Sequence, residues 1–355
     1  MKEYKIAVIG GDGIGPEVTR EAMKVLDAAA SVYGFKTRRT EYPFGTEHYL
    51  KHKEIFPDAA FEEVRQHDAI YLGAIGDPRA PVGMIEFGII AKLRFELDLY
   101  VNLRPIKLYD ERLCPLKGKG PEHVDMVICR ENTEGAYSGS YGYTHKGLDN
   151  EVATQVMVHT RPAVERIIRY AFELARTRKR QKVTSVTKSN AQQYGMVLWD
   201  ETFDRVRAEY PDVETEQWLV DAMAARFVLR PETLDVVVGS NLFGDILSDL
   251  GSAIGGSLGI AASANIDPER RYPSMFEPVH GSAPDIAGQG IANPIAAIWS
   301  AALMLEHLGL EAEAQRVMEA ISRTTAAGIV TPDLGGKATT REVGDAILAN
   351  LGSAA

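Results

Sequence analysis

The chain has 355 residues, 45% of them hydrophobic and 25% charged, with 32 glycines and 17 prolines. At about 150 residues per domain, this length allows two domains or one large one, with a core that needs no disulfide or zinc staple. Cys114 and Cys129 show no zinc-ligand spacing. The net charge of −10 argues against nonspecific binding to nucleic acid or an anionic membrane, and no apolar run approaches the ~18 residues of a spanning helix. The start, MKEYKIAVIGGDGIG, lacks the apolar core and cleavage site of a signal peptide, so a cytoplasmic globular protein is expected.

In chain order, residues 5–9 read as a buried strand closed by GGDGIGPE, after which Val18, Ala22, Val25, Leu26 and Ala29 recur at helical spacing. Strand-like runs return at 69–75, 125–129, 182–187 and 234–239, each ending in a polar or glycine-rich turn. This alternation predicts an α/β architecture with parallel strands and loops gathered at their C-terminal ends. Residues 135–160 differ. Tyr137, Tyr141 and Tyr143 stand among glycines, and then Val152, Thr154, Val156 and Val158 alternate, which predicts an antiparallel arm with one face covered. The glycine-rich stretch 251–259 is the expected crossing between lobes.

GGDGIGPE is not a Rossmann fingerprint, because Pro16 occupies the place of the third glycine after Gly11 and Gly13. A tight strand-to-helix turn with proline near the first helical position accounts for these residues without a ligand, and a phosphate cradle stands as the alternative. GGKATT at 335–340 lacks the first glycine of a P-loop, since Thr331 holds that place.

LDVVVGSNLFGDILSDL leads a strand to Asn241 and then sets Asp245 and Asp249 four residues apart on one helix face. Carboxylates so placed repel one another unless a cation lies between them, and oxygen ligands suit Mg²⁺ or Mn²⁺. The other reading is a solvated acidic face favoured by the helix dipole. Asp221 is a candidate third carboxylate. Arg94, Arg104 and Arg130 lie at the ends of periodic runs, and guanidinium forks bind carboxylates in bidentate fashion. Singly, each arginine would pair with a neighbour such as Glu96, Asp98 or Glu131; together with a metal they suit a substrate carrying two carboxylates.

The motifs GGDGIGPE, LRFELDLYVNLRP, RENTEGAYSG, the turn 188–190, NLFGDILSDL, SMFEPVHGSAPDIAGQGIANP and TPDLGG, in this order, resemble the metal-dependent β-decarboxylating dehydrogenases of isopropylmalate, isocitrate, homoisocitrate, tartrate and D-malate. AIGDP, KLRF and EVATQV are similar to the isopropylmalate branch, and residues 274–309 at least as similar to the tartrate and D-malate enzymes. The resemblance implies an isopropylmalate dehydrogenase-like, non-Rossmann fold of two α/β lobes around a cleft. Residues 1–103 and 255–355 would form the cofactor-side lobe, and 104–254 the substrate and dimerisation lobe with its β arm at 135–160. It implies a homodimer with shared active sites. By the same resemblance Arg94, Arg104 and Arg130 bind substrate carboxylate, Tyr137 and Lys188 are catalytic, and Asp221, Asp245 and Asp249 hold Mg²⁺ or Mn²⁺. Lys188 and Asp221 would come from the partner. His280, Gly281, Ser282, Ala283, Pro284, Asp285 and Asn293 match the loop around the adenosine half of the cofactor.

On this reading Lys188 accepts the proton of the 2-hydroxyl, hydride leaves C2, CO₂ is lost, and Tyr137 protonates C3. Asp285 suits the ribose hydroxyls of NAD and repels the 2′-phosphate of NADP. A requirement for K⁺ stays open. Ile90 and Ala91 stand where isopropylmalate enzymes typically carry two leucines, and a missing contact of that size is worth about 1–3 kcal/mol. The expected substrate is 3-isopropylmalate, in leucine biosynthesis, with tartrate or D-malate as the alternative. A noncatalytic regulatory subunit is disfavoured, because every catalytic position is filled by the expected residue.

Overall fold

Each of the strand-like runs forms a strand in the computed structural model, which describes residues 2–352. In chain order the strands among these residues are β1 (Glu3–Gly11), β2 (Lys36–Tyr42), β3 (Ala69–Ala74), β4 (Val101–Lys107), β5 (Asp125–Glu131), β6 (Tyr141–Thr144), β7 (Val152–Gln155), β8 (Lys182–Thr187), β9 (Glu214–Leu219), β10 (Val236–Gly239), β11 (Ala262–Ile266) and β12 (Ser274–Pro278). No described helix is long and apolar enough to cross a membrane.

Contacts divide the chain into two units. One comprises Met1–Leu99, Lys107–Glu122 and Ser252–Ala355, the other Tyr100–Ile106 and His123–Gly251. In the first, the strands run in the order β2-β1-β3-β12-β11, parallel except for the antiparallel pair β11 and β12. In the second the order is β4-β5-β10-β8-β9, with β5, β10, β8 and β9 parallel. Residues 107–122, expected in the middle lobe, group instead with the first unit. There Tyr109 meets Trp299 edge-on at 5.6 Å, and Arg112 donates to the Ala326 carbonyl at 2.9 Å.

The central strands are apolar because both faces are covered, as parallel strands in α/β units require: β3 and β10 are buried at every residue. Among the strands that the hydrophobic reading does not name, β11 and β12 included, β2 (KTRRTEY) and β9 (ETEQWL) are charged along their length. Each is the last strand of its row, and charged side chains on an edge discourage pairing with other chains. The helix Gly15–Tyr33 opens on Pro16, buries the predicted stripe and stops at Gly34, whose left-handed backbone donates its N–H to Ala30.

The turn between β1 and this helix shows why its glycines are needed. Gly11 and Gly13 have φ of +74° and +56°, and a Cβ on Gly13 would lie 1.9 Å from the Ser282 carbonyl oxygen. Ile14 donates its N–H to that oxygen at 2.8 Å. Asp12, buried between them, accepts from Thr46 N (2.7 Å), Thr46 Oγ1 (3.0 Å) and Gly76 N (2.9 Å). The glycine-rich turn is therefore a junction of three segments of the first unit.

Residues 135–160 form the expected antiparallel arm, with β6 paired to β7 and a bridge from Gly135 to Val158. The expectation of a covered face is corrected: β6 and β7 are exposed at every residue.

Candidate active site

Three segments of the second unit meet at the Asp245 carboxylate. Arg130 is the penultimate residue of β5 and is almost fully buried. Its Nη1 donates to Asp245 Oδ1, while its Nε and Nη2 both donate to Asn241 Oδ1, at 3.0 and 2.7 Å. Arg104, on β4, donates from Nη1 to Ser248 Oγ at 2.6 Å and to Asp245 Oδ1 at 3.1 Å. Its Nε donates to Asn102 Oδ1 at 2.6 Å. Tyr137, at the root of the arm, donates its hydroxyl to Asp245 Oδ2 at 2.9 Å, with its ring centroid 5.4 Å from the Arg130 guanidinium carbon.

The helix Asn241–Ile254 produces this convergence, since Asn241, Asp245, Ser248 and Asp249 recur at i, i+4, i+7 and i+8 on one face. Gly244 permits the close approach of Arg130, because a Cβ there would lie 2.7 Å from the arginine Cβ and Cγ. Burial, then the Asp245 charge and hydrogen bond, raise the Tyr137 phenol above its ordinary pKa, so it stays protonated at neutral pH. Burial raises the Asp249 carboxyl, with Arg104 opposing and Asp245 adding to the rise. Asp249 lies 3.9 Å from Arg104 Nη1. Two guanidinium forks, a phenol that keeps its proton and two adjacent carboxylates can bind an anion, give up a proton and hold a hard cation.

Lys188 follows β8 and donates from Nζ to Asp221 Oδ1 at 2.6 Å; this hydrogen bond is the main cause that lowers the Asp221 pKa. Among the described residues no three carboxylate, imidazole or thiolate groups converge to hold a metal. The chain thus brings Asp245 and Asp249 together and leaves Asp221 paired with Lys188. The two helical carboxylates fit a divalent ion as hard oxygen donors that leave further coordination places open.

The other expected residues lie in the first unit. Arg94 does not pair with Glu96 or Asp98. Its Nη2 donates to Glu277 Oε1 at 2.6 Å, which also accepts from Asn265 Nδ2 at 2.8 Å, and its Nε is buried without a partner in the chain. Asp98 pairs with Arg271. Ile90 and Ala91 lie in a turn of π-helix, Phe87–Ala91, a widened turn frequent at functional sites. Ile90 packs against the unit's own core beside Ile89 and Leu93.

In the 280–293 loop, His280 Nδ1 bonds the Gly281 carbonyl at 3.0 Å, which assigns the ring proton to Nδ1 and leaves Nε2 an acceptor. That Nε2 is buried with no partner, and burial lowers the imidazole pKa. Ala283 has a left-handed backbone at φ +38°. The Asp285 carboxylate is exposed, and Gln289 Nε2 donates to its backbone carbonyl at 2.8 Å. Asn293 is anchored by Asp333 at 3.0 Å. An unpaired buried acceptor and an exposed carboxylate on a constrained loop fit the adenosine half of a dinucleotide. Asn102, Asn241, Ser248, Asp12 and Glu277 were not among the predicted site residues. Only Asn241 carried a visible signal, one helical turn before Asp245 on the same face.

The isocitrate/isopropylmalate dehydrogenase family pattern matches residues 5–347, and the chain belongs to that family. It is 51% identical over 348 residues to a probable tartrate dehydrogenase/decarboxylase of Agrobacterium vitis, covering 98% of this chain and 96% of that protein. A 3-isopropylmalate dehydrogenase of Thermobifida fusca is 50% identical over 346 residues, covering 98% and 97%. A decarboxylating D-malate dehydrogenase of Escherichia coli is 48% identical over 354 residues, covering 98% of each. Among solved structures, isocitrate dehydrogenase from Methylococcus capsulatus superposes with a TM-score of 0.89 at 37% identity, covering 99% of this chain and 100% of that one. The fold is thus isopropylmalate dehydrogenase-like, and the chain is a decarboxylating dehydrogenase, an oxidoreductase. Members of this family generally use NAD or NADP with a divalent metal and act on small dicarboxylates.

Proposed function

We propose that the chain catalyses the NAD-dependent, divalent-metal-dependent oxidative decarboxylation of a (2R)-malate-type dicarboxylate with a small group on C3, either D-malate or tartrate. The convergence of Arg104, Arg130 and Tyr137 on Asp245 carries the reading: two fixed cations and a protonated phenol around one carboxylate match an anionic substrate that must be reprotonated. Arg104 and Arg130 bind the carboxylate. Lys188, offered by a second copy in a homodimer, takes the hydroxyl proton, and Tyr137 holds the proton that C3 receives after CO₂ leaves. Asp245 and Asp249, joined by Asp221 of the second copy, would hold a divalent ion that would supply Lewis-acid polarisation, and a bound nicotinamide would accept the hydride. His280 to Asp285, with Asn293, hold the adenosine half, and the Asp285 charge favours NAD over NADP.

The small C3 group is supported by the tartrate and D-malate names of similar relatives and by the little apolar contact that the two positions expected to meet it would give an isopropyl group. Ile90 is engaged with the core of its own unit, and Ala91 offers a single methyl. A second reading, 3-isopropylmalate, is favoured by the similarity to the Thermobifida fusca enzyme and would place the chain in leucine biosynthesis. The test is NADH formation by the purified chain with Mg²⁺ or Mn²⁺, offering D-malate, L-tartrate, 3-isopropylmalate and isocitrate separately, with NAD and then NADP. The expected ranking by kcat/KM puts D-malate or tartrate first and NAD above NADP, with activity lost to a chelator. A preference for 3-isopropylmalate selects the second reading. Preference for isocitrate, turnover of none of the four, or equal use of both cofactors contradicts the proposal on that point.

A further inference from the structure

We infer that Asn241, with Asn102 as its counterpart, is a positioning residue that aims the two guanidinium groups of the site while leaving their positive charge available to substrate. The inference rests on the dicarboxylate reading above and deepens it.

Each arginine is held along its Nε side by the oxygen of a buried amide. Asn241 Oδ1 accepts from both Nε and Nη2 of Arg130, and Asn102 Oδ1 accepts from Nε of Arg104. Both asparagines are essentially inaccessible to solvent. The remaining nitrogen of the Arg130 fork, Nη1, is thereby directed at Asp245, and Nη1 of Arg104, anchored at Nε alone by its amide, reaches the same carboxylate. The Asn241 amide cannot turn over, because its Nδ2 donates to the Glu134 carbonyl at 3.1 Å. That carbonyl lies three residues before Tyr137, so one side chain ties the arginine to the segment that carries the phenol.

Aspartate has nearly the same shape and would accept the same hydrogen bonds more strongly, since carboxylate–guanidinium pairs are the stronger type. Its charge would work against the site. Two arginines already face two aspartates, Asp245 and Asp249. A third carboxylate would leave these side chains with one more negative than positive charge and weaken the pull of the pocket on an incoming dianion. A neutral amide supplies the orientation without that cost. Charge preservation and simple scaffolding therefore predict opposite orders for two substitutions at one position.

The experiment compares Asn241→Asp with Asn241→Ala, and Asn102→Asp with Asn102→Ala. Calorimetry reads binding of D-malate, L-tartrate and 3-isopropylmalate to the Mg²⁺-loaded protein, with NAD binding measured in parallel. The near-isosteric aspartate variants are expected to weaken dicarboxylate binding by about tenfold or more, beyond the alanine variants, with NAD affinity unchanged. If alanine proves more harmful than aspartate, or NAD affinity falls in step with dicarboxylate affinity, the residues are scaffolding and the inference is overturned. Thermal melting identifies any variant that does not fold, and the pair at the other position then decides. Wild-type protein that binds none of the three acids overturns the functional reading itself, whereas wild-type affinity in both aspartate variants overturns this inference alone.

Discussion

Replacing Gly244 by alanine tests whether the close approach of the 241–254 helix to β5 serves stability or the site. The added methyl would stand 2.7 Å from Cβ and Cγ of Arg130 and 3.2 Å from its Cα, where relaxed carbon contacts lie at about 3.5–4.0 Å. The helix or the arginine must therefore give way by roughly 1 Å. Overpacking of this kind costs about 1–3 kcal/mol, and the better helix propensity of alanine offsets about 1 kcal/mol of it. The expected net loss of stability is about 0–2 kcal/mol. The effect on function should be larger, because Arg130 reaches Asp245 and Asn241 through contacts fixed on both sides, and a 1 Å misplacement costs about 10²-fold in rate. Gly251→Ala is the counterpart: its methyl would meet Ile106 Cδ1 at 2.1 Å and Phe227 at 3.3 Å, neither of which belongs to the site. Urea unfolding and kcat/KM for the preferred dicarboxylate are measured on both. Gly244→Ala should lose kcat/KM out of proportion to stability, and Gly251→Ala should lose stability first. A Gly244→Ala protein with kcat/KM within about twofold of wild type would refute the reasoning.

Tyr137→Phe removes the proton held beside Asp245 and should impair decarboxylation or C3 protonation more than hydride transfer; full turnover to the decarboxylated ketone in that variant would remove the assignment. Asp12→Ala leaves two backbone N–H groups and the Thr46 hydroxyl without their acceptor, for an expected loss of about 2–4 kcal/mol; a loss in urea unfolding below about 1 kcal/mol would contradict that role. His307 is held neutral, its pKa lowered to about 4 by burial and then by Arg270. Because the folded pKa is depressed, the stabilisation is present above the unfolded value near 6.5 and is lost as pH falls towards 4, to a limit of about 3 kcal/mol. His307→Gln should flatten the stability profile between pH 7 and 4, and an unchanged slope would show that other groups govern acid unfolding.

Much of the site could be anticipated from local order. Asp245 and Asp249 share a face because helical spacing requires it, and Arg130 lies near the end of a buried strand because its residues run VDMVIC before it. What stayed hidden involves partners remote in the chain. The acceptor for Arg94 is Glu277 rather than a neighbour, and Arg130 finds its acceptor in Asn241, 111 positions away. Its helical spacing sets Asn241 on the face of Asp245, but nothing local to Asn102 distinguishes a solvated residue from a buried acceptor. The edge strands β2 and β9 were missed for a related reason: with one neighbour each they need no apolar run, and the periodic signal fades.

The amino-acid sequence by itself determined the α/β alternation, the helix start at Pro16, and the set of carboxylates, arginines and tyrosine from which a site could be built, since these depend on backbone sterics and on spacing along one element. Tertiary structure alone decided that Arg104, Arg130 and Tyr137 meet at one carboxylate, that residues 107–122 group with the first unit, and that the arm lies bare within its own chain. Those outcomes depend on which surfaces pack together, and hydrogen bonds across more than a hundred residues follow from that packing rather than from any local pattern.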